Sequence, residues 1–199
     1  MAKWNKVYST KEFFYGKNPN EFIKKYYGLI PQGGRVLELA CGEGRNAIFL
    51  AQQGFHADAI DLSEVAIEKA ESWTRDLNVE VNFINTDAFR WTPQYRYDGI
   101  IITFFHAPPE KRILLYQKIK ELLKPEGIFL GEWFSPLQRL HGFTSGGPPF
   151  YEYMPTIEEL KDNFQNGEIL LLETEERVLH EGSGHRGPAS LVHLIWRKK

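Results

Sequence analysis

Two carboxylates beside a glycine-rich turn are the residues of this sequence whose types and spacing best suit ligand chemistry. Glu38 lies in a short apolar run, and the glycines Gly42 and Gly44 follow it directly. Glycines let backbone N–H groups approach a ligand closely, and the start of a helix adds partial positive charge. Asp61 closes the next apolar run, where a carboxylate can accept hydrogen bonds from both hydroxyls of a ribose. This spacing predicts a nucleotide-like cofactor across the carboxyl end of a parallel sheet.

A histidine follows another apolar run, 97–103, which contains three consecutive isoleucines and is typical of a strand buried on both faces. His106 is the only ionisable side chain among residues 103–106. Its ordinary pKa of about 6.5 suits a group that accepts a proton from a substrate. We therefore predict a catalytic role for His106, and the alternative is that it orients a substrate or bonds to a loop.

The elements that must position these residues alternate between strand and helix. Apolar runs predict strands at 35–39, 55–60, 79–84, 97–103 and 128–133. Such an alternation is typical of a doubly wound, mostly parallel sheet. Two further runs, 169–180 and 189–197, have no helix between them and predict an antiparallel hairpin. The expected fold is a single α/β domain over residues 1–199, with a Rossmann-like, seven-stranded sheet that ends in this hairpin.

Composition limits the classes of partner. The chain has 199 residues, of which 42% are hydrophobic and 25% charged, so it is large enough to bury a core. A net charge of −2 argues against tight electrostatic binding to nucleic acid. No apolar run approaches the roughly 20 residues of a membrane helix, and residues 1–6 lack the apolar segment of a secretory signal. We expect a cytoplasmic protein with no nucleic-acid or membrane partner.

The segment around the glycine turn resembles the cofactor motifs of a known family. The pattern Glu38-x-Ala40-Cys41-Gly42-x-Gly44, with Asp61 ending the next strand, is similar to the first two motifs of class I S-adenosylmethionine-dependent methyltransferases. Five further segments resemble more narrowly the tellurite-resistance, TehB-like small methyltransferases. They are Arg45-Asn46, Tyr15-Gly16-Lys17-Asn18-Pro19, Phe104-Phe105-His106, Gly146-Gly147-Pro148 and Glu181-Gly182-x-x-His185-x-Gly187.

This resemblance implies that the chain binds S-adenosyl-L-methionine and passes its methyl group to a small-molecule acceptor. Asp61 would hold the ribose, Leu62 would flank the adenine, and Asp87 would receive the adenine amine. The implied cofactor-binding residues are Glu38, Ala40, Cys41, Gly42, Gly44, Arg45, Asn46, Asp61, Leu62, Asp87, Ala88 and Thr103. The residues alone leave one alternative open for each carboxylate. In these alternatives, loop N–H groups satisfy the Glu38 carboxylate, Asp61 caps a helix, and Asp87 lies in an ordinary turn.

One departure from the family pattern concerns Ala40, where many relatives have glycine. Alanine is small enough for this loop if its φ angle is negative, so the departure leaves the expected cofactor binding in place.

The resemblance implies that residues 1–30 form a lid over the cofactor, and a simple aromatic clasp on the core is the alternative. Residues 135–155 are rich in proline, which predicts a loop, and we expect this loop to contact the substrate. The predicted substrate contacts are Tyr15, Phe104, Glu132 and His185. The histidines match no zinc motif, so we predict no metal site, and hydrogen bonds that stabilise a turn are the other interpretation of Glu181 and His185. A tellurium or selenium oxyanion and a thiol are the candidate acceptors, and halides and small acids also remain open.

Two rival functions remain open at this point. A nicotinamide-dependent oxidoreductase is disfavoured by the terminal hairpin and by the absence of Gly-x-Gly-x-x-Gly after the first strand. A non-catalytic S-adenosylmethionine-binding protein would keep Asp61 but would need no acceptor pocket.

Overall fold

The computed structural model describes residues 2–199, which form one seven-stranded sheet with surrounding helices. The strands are β1 (Arg35–Leu39), β2 (His56–Asp61), β3 (Asn82–Asn85), β4 (Tyr97–Thr103), β5 (Leu123–Phe134), β6 (Glu168–Glu181) and β7 (His185–Arg197). The helices are α1 (Ala2–Tyr8), α2 (Glu21–Tyr26), α3 (Arg45–Gln52), α4 (Glu64–Leu77), α5 (Pro109–Leu122), α6 (Leu137–Leu140) and α7 (Ile157–Phe164). Within residues 2–199, no helix has the length and apolar character that crossing a membrane requires.

The strand order confirms the predicted fold class. The sheet runs β3-β2-β1-β4-β5-β7-β6, with β1 to β5 parallel and β7 antiparallel to both of its neighbours. The order reverses direction between β1 and β4. In open parallel sheets, ligands bind outside the carboxyl ends of the strands at such a switch point.

The three isoleucines of β4 show how the sheet is buried on two faces. Ile100 and Ile102 belong to one apolar cluster, which also contains Trp133 and Phe164, whereas Ile101 belongs to a second cluster. Because successive side chains of a strand point to opposite faces, the two clusters lie on opposite sides of the sheet. This packing holds the carboxyl ends of β1 and β4 rigidly side by side.

Several element boundaries differ from the predicted ones. The third strand starts at Asn82 because Asn78 takes a left-handed φ of 52° and the Val79 N–H bonds back to the carbonyl of Thr74, extending the end of α4. The fifth strand starts at Leu123, five residues early, and absorbs the predicted turn as an irregularity in which Glu126 has a φ of 63°. The last strand begins at His185, so the hairpin is longer than predicted.

The predicted substrate loop, residues 135–155, is more ordered than its prolines indicate. It contains α6 and a 3-10 turn over Tyr151–Tyr153. The guanidinium of Arg139 donates hydrogen bonds of 2.8 to 2.9 Å to the carbonyls of Phe143, Gly146, Gly147 and Pro148. One side chain therefore fixes the path of the loop across the carboxyl edge of the sheet.

Candidate active site

The glycine turn joins β1 to α3, and each of its glycines has a positive φ. Gly42 has a φ of 54°, and a Cβ there would lie 2.8 Å from the hydroxyl of Tyr8. Gly44 has a φ of 80°, and a Cβ there would meet the ring of Phe83 at 2.8 Å. Both positions thus require glycine, the first under the N-terminal helix α1 and the second for packing of α3 on the sheet.

The condition of a negative φ at Ala40 is not met. Ala40 has a φ of 57°, in the left-handed region that alanine rarely adopts. The neighbouring hydrogen bonds explain this: the Cys41 N–H binds the carbonyl of Ile60 at 2.9 Å, and the Gly42 N–H binds Asp61 at 2.8 Å. These bonds draw the chain sharply toward β2, and the bend that results requires the left-handed conformation of Ala40.

Glu38 is buried and its carboxylate is already bonded by protein groups. One oxygen accepts from the side-chain amide of Asn46 at 2.8 Å, and the other accepts from the Ala47 N–H at 2.8 Å. Burial raises the pKa of Glu38 to about 7, against the effect of these two hydrogen bonds. The carboxylate therefore fastens the start of α3 to β1, as the alternative interpretation of this residue expects.

Asp61 links the end of β2 to the glycine turn. Its Oδ2 accepts from the Gly42 N–H and its Oδ1 from the Ser63 N–H, both at 2.8 Å. Burial raises its pKa, and the hydrogen bonds from Ser63 and Gly42 oppose that rise. Ser63 itself caps α4 through the Ala66 N–H, so Asp61 supports a helix start while remaining at the carboxyl edge of the sheet beside Leu62.

Three other predicted cofactor residues, Asp87, Cys41 and Thr103, differ in what their side chains contact. Asp87 has a side chain that is 36% exposed, and its Oδ1 accepts from the Phe89 N–H at 2.9 Å, which makes an ordinary turn before buried Ala88. Cys41 points away from the turn into an apolar cluster with Ala47 and Ile67, so only its backbone faces the site. Thr103 ends β4 and accepts from Asn46 at 3.2 Å through its hydroxyl.

The geometry of His106 argues against the predicted role as a base. Its Nε2 accepts from the Phe134 N–H at 3.1 Å, so the proton lies on Nδ1 and is donated to the carbonyl of Phe104 at 2.9 Å. Burial lowers the pKa of His106 to about 3. No lone pair is left for a substrate, and the ring instead holds the backbone of Phe104, which has a left-handed φ of 57°.

A buried ion pair brings the tip of the hairpin to the glycine turn. Arg45, the first residue of α3, pairs with Glu181 at 3.0 Å, and Glu181 bonds Nδ1 of His185 at 2.7 Å. The rings of Tyr15 and Phe104 lie 4.4 and 4.3 Å from the His185 ring, centroid to centroid. Three of the four predicted substrate residues therefore do meet, at the end of β4.

Glu132, the fourth predicted substrate residue, does not face this site. It is fully buried, and its carboxylate is bonded by Asn20 at 2.5 Å, Arg177 at 2.9 Å and His193 at 2.8 Å. Asn20 also bonds Glu181 at 3.2 Å, so this cluster supports the hairpin from behind. Glu132 is a structural anchor, because a carboxylate with three protein donors has little capacity left for a ligand.

Sequence reasoning missed the pairing of Glu181 with His185 and the contact of Glu181 with Arg45. One signal was present: the two residues are four apart and flank Gly182 and Gly184, so a tight hairpin places them opposite each other. No local sequence pattern predicts the contacts of Asn20 with Glu132 and Glu181, because more than 100 residues separate the partners.

Similarity to known proteins agrees with the fold and with the glycine turn. Residues 36–127, which include the glycine turn and Asp61, match the family profile described as a methyltransferase domain. The matched segment is therefore similar to a methyltransferase domain, the class that the sequence motifs also resemble. Its structure resembles that of TehB from Haemophilus influenzae, with a TM-score of 0.74 and 21% identity over 98% of this chain and 66% of that one. This likeness confirms the fold.

Curated relatives point in the same direction. The chain is 34% identical over 127 residues to probable thiol methyltransferase 2 of Arabidopsis thaliana, which covers 62% of this chain and 54% of the relative. It is 30% identical over 131 residues to thiocyanate methyltransferase 1 of the same plant, covering 64% and 56%. The chain thus spans about half the length of these relatives.

Ala40→Gly should raise the free energy of unfolding, because glycine adopts a positive φ without the steric penalty of alanine. The penalty is about 1 kcal/mol, and the extra freedom of glycine in the unfolded chain offsets part of it. Urea denaturation measures the change. Ala70→Gly inside α4, where φ is helical, is the matched control and should lower stability by about 1 kcal/mol or more. A loss at both positions contradicts the left-handed assignment.

Glu132→Ala should lower the free energy of unfolding by about 3–5 kcal/mol, because it leaves Arg177 and His193 without their buried acceptor. The control is Glu168→Ala, which breaks a largely exposed pair with Arg197 at 3.0 Å and should change stability by about 1 kcal/mol or less. Similar losses in the two variants, measured in the same urea titration, would mean that Glu132 is not an anchor.

Proposed function

We propose that this protein transfers the methyl group of S-adenosylmethionine to a small sulfur nucleophile, such as a thiol or thiocyanate. The observation that carries the proposal is the bond between Asp61 and the Gly42 N–H, which sets a carboxylate beside a helix start at the switch point of the sheet. That arrangement suits a cofactor bearing a ribose. The nicotinamide alternative is not favoured, because the matched domain is that of a methyltransferase.

The residues at this edge fit the cofactor by their chemistry. Asp61 has carboxylate lone pairs for the ribose hydroxyls, with Leu62 against the adenine and Asp87 with the Ala88 N–H at its edge. At the opposite end, the backbone carbonyl of Thr103 would take the amino group. Glu38 and Asn46 would act indirectly, by holding the turn, because their polar atoms already bond each other and the backbone.

Methyl transfer requires the acceptor to be aligned with the methyl group, and it requires no covalent protein intermediate. The cofactor supplies a methyl group already activated on a sulfonium. The protein would fix the acceptor in line with that methyl and exclude water, and well-oriented reactants can remove about 7–11 kcal/mol from a barrier. Phe104 and Tyr15 would also offer ring faces to positive charge, as aromatic rings do for sulfonium-like cations.

The N-terminal segment would act as a lid over the cofactor. Tyr8 is buried against Gly42, and the ammonium of Lys69 on α4 binds the carbonyls of Tyr8, Thr10 and Glu12 at 3.3, 3.0 and 2.8 Å. The same ammonium pairs with Glu43 of the glycine turn. Cofactor entry would require α1 to move, and closure would shut out water.

The acceptor would reach His185 and Phe104 from one of two directions. A cavity of about 100 Å³ opens between the N-terminal segment and the hairpin, lined in part by Tyr15, Arg45 and Glu181. On the other side lies the loop around Gly146, the proposed substrate loop. The names of the thiol and thiocyanate methyltransferase relatives favour sulfur over a tellurium or selenium oxyanion.

Asp61→Ala should weaken binding of S-adenosylmethionine at least tenfold, because each lost hydrogen bond to a charged acceptor is worth about 1.5–3 kcal/mol. Calorimetric titration of the folded variant measures this. The matched control is Asp98→Ala, which removes a carboxylate from the amino end of β4, where it bonds the Arg35 N–H. Asp98→Ala should bind normally, and unchanged affinity in the Asp61 variant removes Asp61 from the ribose site.

Turnover tests the function itself. We expect S-adenosylhomocysteine to form when wild-type protein is mixed with S-adenosylmethionine and either 2-mercaptoethanol or thiocyanate, and to form more slowly with tellurite or selenite. NAD should neither bind in calorimetry nor alter the rate. Cofactor binding without product from any of these acceptors would support the non-catalytic alternative instead.

A further inference from the structure

Glu181 and His185 form a carboxylate–imidazole pair that the mechanism above leaves without a task. They face each other across the hairpin tip, with Glu181 Oε2 2.7 Å from His185 Nδ1. The Glu181 and His185 side chains are only 10% and 5% exposed. Arg45 pairs with the same carboxylate oxygen at 3.0 Å, and Asn20 donates to the other at 3.2 Å. Three donors therefore fix the carboxylate, which in turn fixes the ring.

The protonation state of the pair follows from these contacts. Burial by itself would raise the pKa of Glu181, but hydrogen bonding to His185 and the charge of Arg45 outweigh it and lower the pKa to about 2. An ionised carboxylate only accepts hydrogen bonds, so the proton of neutral His185 lies on Nδ1. The lone pair is then on Nε2, which has no hydrogen-bond partner within residues 2–199.

His106 and His185, the two histidines near the end of β4, differ in whether one ring nitrogen is free of hydrogen bonds. His106 has both ring nitrogens bonded to backbone groups, whereas His185 uses one nitrogen and keeps the other free. A general base needs a free lone pair and a partner that stabilises its protonated form. His185 has both.

The ring of His185 also touches every element that borders the proposed acceptor position. Tyr15 comes from the N-terminal segment, Phe104 follows β4, and Phe134 ends β5 at 5.2 Å between ring centroids. From the substrate loop, Gly146 approaches so closely that a Cβ there would lie 2.6 Å from His185 Cδ2. The edge of the ring that carries Nε2 thus faces the loop.

We infer that His185, held by Glu181, is the general base that removes the proton from a neutral thiol as its sulfur is methylated. This inference rests on the proposed function and adds the residue that makes a protonated acceptor reactive. The carboxylate–imidazole arrangement is the one by which hydrolytic enzymes orient and charge-stabilise a histidine base.

The step balances without a further reactant. The thiol sulfur forms a bond to the methyl carbon, and the bond from that carbon to the sulfonium breaks with its electron pair left on the cofactor sulfur. The thiol proton passes to His185 Nε2. The products are a methyl thioether, S-adenosylhomocysteine and an imidazolium that faces the Glu181 carboxylate. Release of the proton to water restores the base.

The charged and titratable groups around His185 set its response to pH. Burial lowers its pKa, Glu181 and the more distant Glu132 raise it, and Arg45 lowers it. Tyr15 and His106 are the other titratable groups that face the ring. Because the pKa of His185 lies below its ordinary value, the ring is neutral and ready to accept a proton near pH 7.

His185→Gln is the variant that tests the inference, because glutamine keeps a donor for Glu181 but cannot act as a base. The readout is kcat with two acceptors, 2-mercaptoethanol, which must lose a proton, and thiocyanate, which has none to lose. We expect the ratio of thiol to thiocyanate turnover to fall by about 10²–10⁴-fold, the range of general acid–base catalysis. Glu181→Gln should lower the same ratio by a smaller factor.

Controls separate this outcome from damage to the fold. His56→Gln, an exposed histidine at the start of β2, should leave the ratio unchanged. An equal fall in kcat with both acceptors, in variants that still bind S-adenosylmethionine, overturns the role of His185 as a base. His185 would then only line the site. Absence of wild-type turnover with either acceptor overturns the proposed function, and this inference with it.

A second readout needs no turnover. In protein labelled with nitrogen-15 at histidine, the resonance lost in His185→Gln belongs to this ring. Its chemical shifts should report a proton on Nδ1 and none on Nε2 at pH 7. A protonated Nε2 at that pH, in either the other neutral form or the imidazolium, overturns the proposal directly.

Discussion

The buried ion pair between Arg45 and Glu181 is the contact on which the rest of the site depends. It joins the first residue after the glycine turn to a strand end 136 positions later, with both side chains about nine-tenths buried. Removing one partner of such a pair typically costs about 3–5 kcal/mol, because the other charge is left without compensation. The glycine turn and the tip of the hairpin are therefore held in register by one interaction.

A chain of polar side chains extends this constraint through the centre of the molecule. Glu38 bonds Asn46, Asn46 bonds the Asn20 N–H, and the Asn20 side chain bonds Glu132. Each link is buried, so a missing partner would leave a polar group without water or a donor. The network makes the N-terminal segment part of the sheet edge, which explains why Tyr15, ahead of β1, lies against His185 of the hairpin.

The sequence allowed the sheet and the glycine turn to be predicted because their signals are local. Apolar runs and glycine positions fixed β1, β2 and β4 within a residue of the observed bounds, and Asp61 lies at the expected edge. The φ of Ala40 depends on bonds to β2, and the role of His106 depends on backbone groups that only the folded chain presents. Pairing of Arg45 with Glu181 is likewise a product of topology, and no periodic pattern encodes it.

The outer strand of the sheet has a consequence for how copies of this chain meet. β6 has fourteen residues and one unpaired edge, and such an edge is a template for strand addition by a neighbour. Its central segment carries Glu173, Glu175 and Glu176, all exposed. A second copy adding its own β6 in antiparallel fashion would bring these carboxylates near one another across the new seam. Electrostatic repulsion between these carboxylates opposes strand addition at this edge.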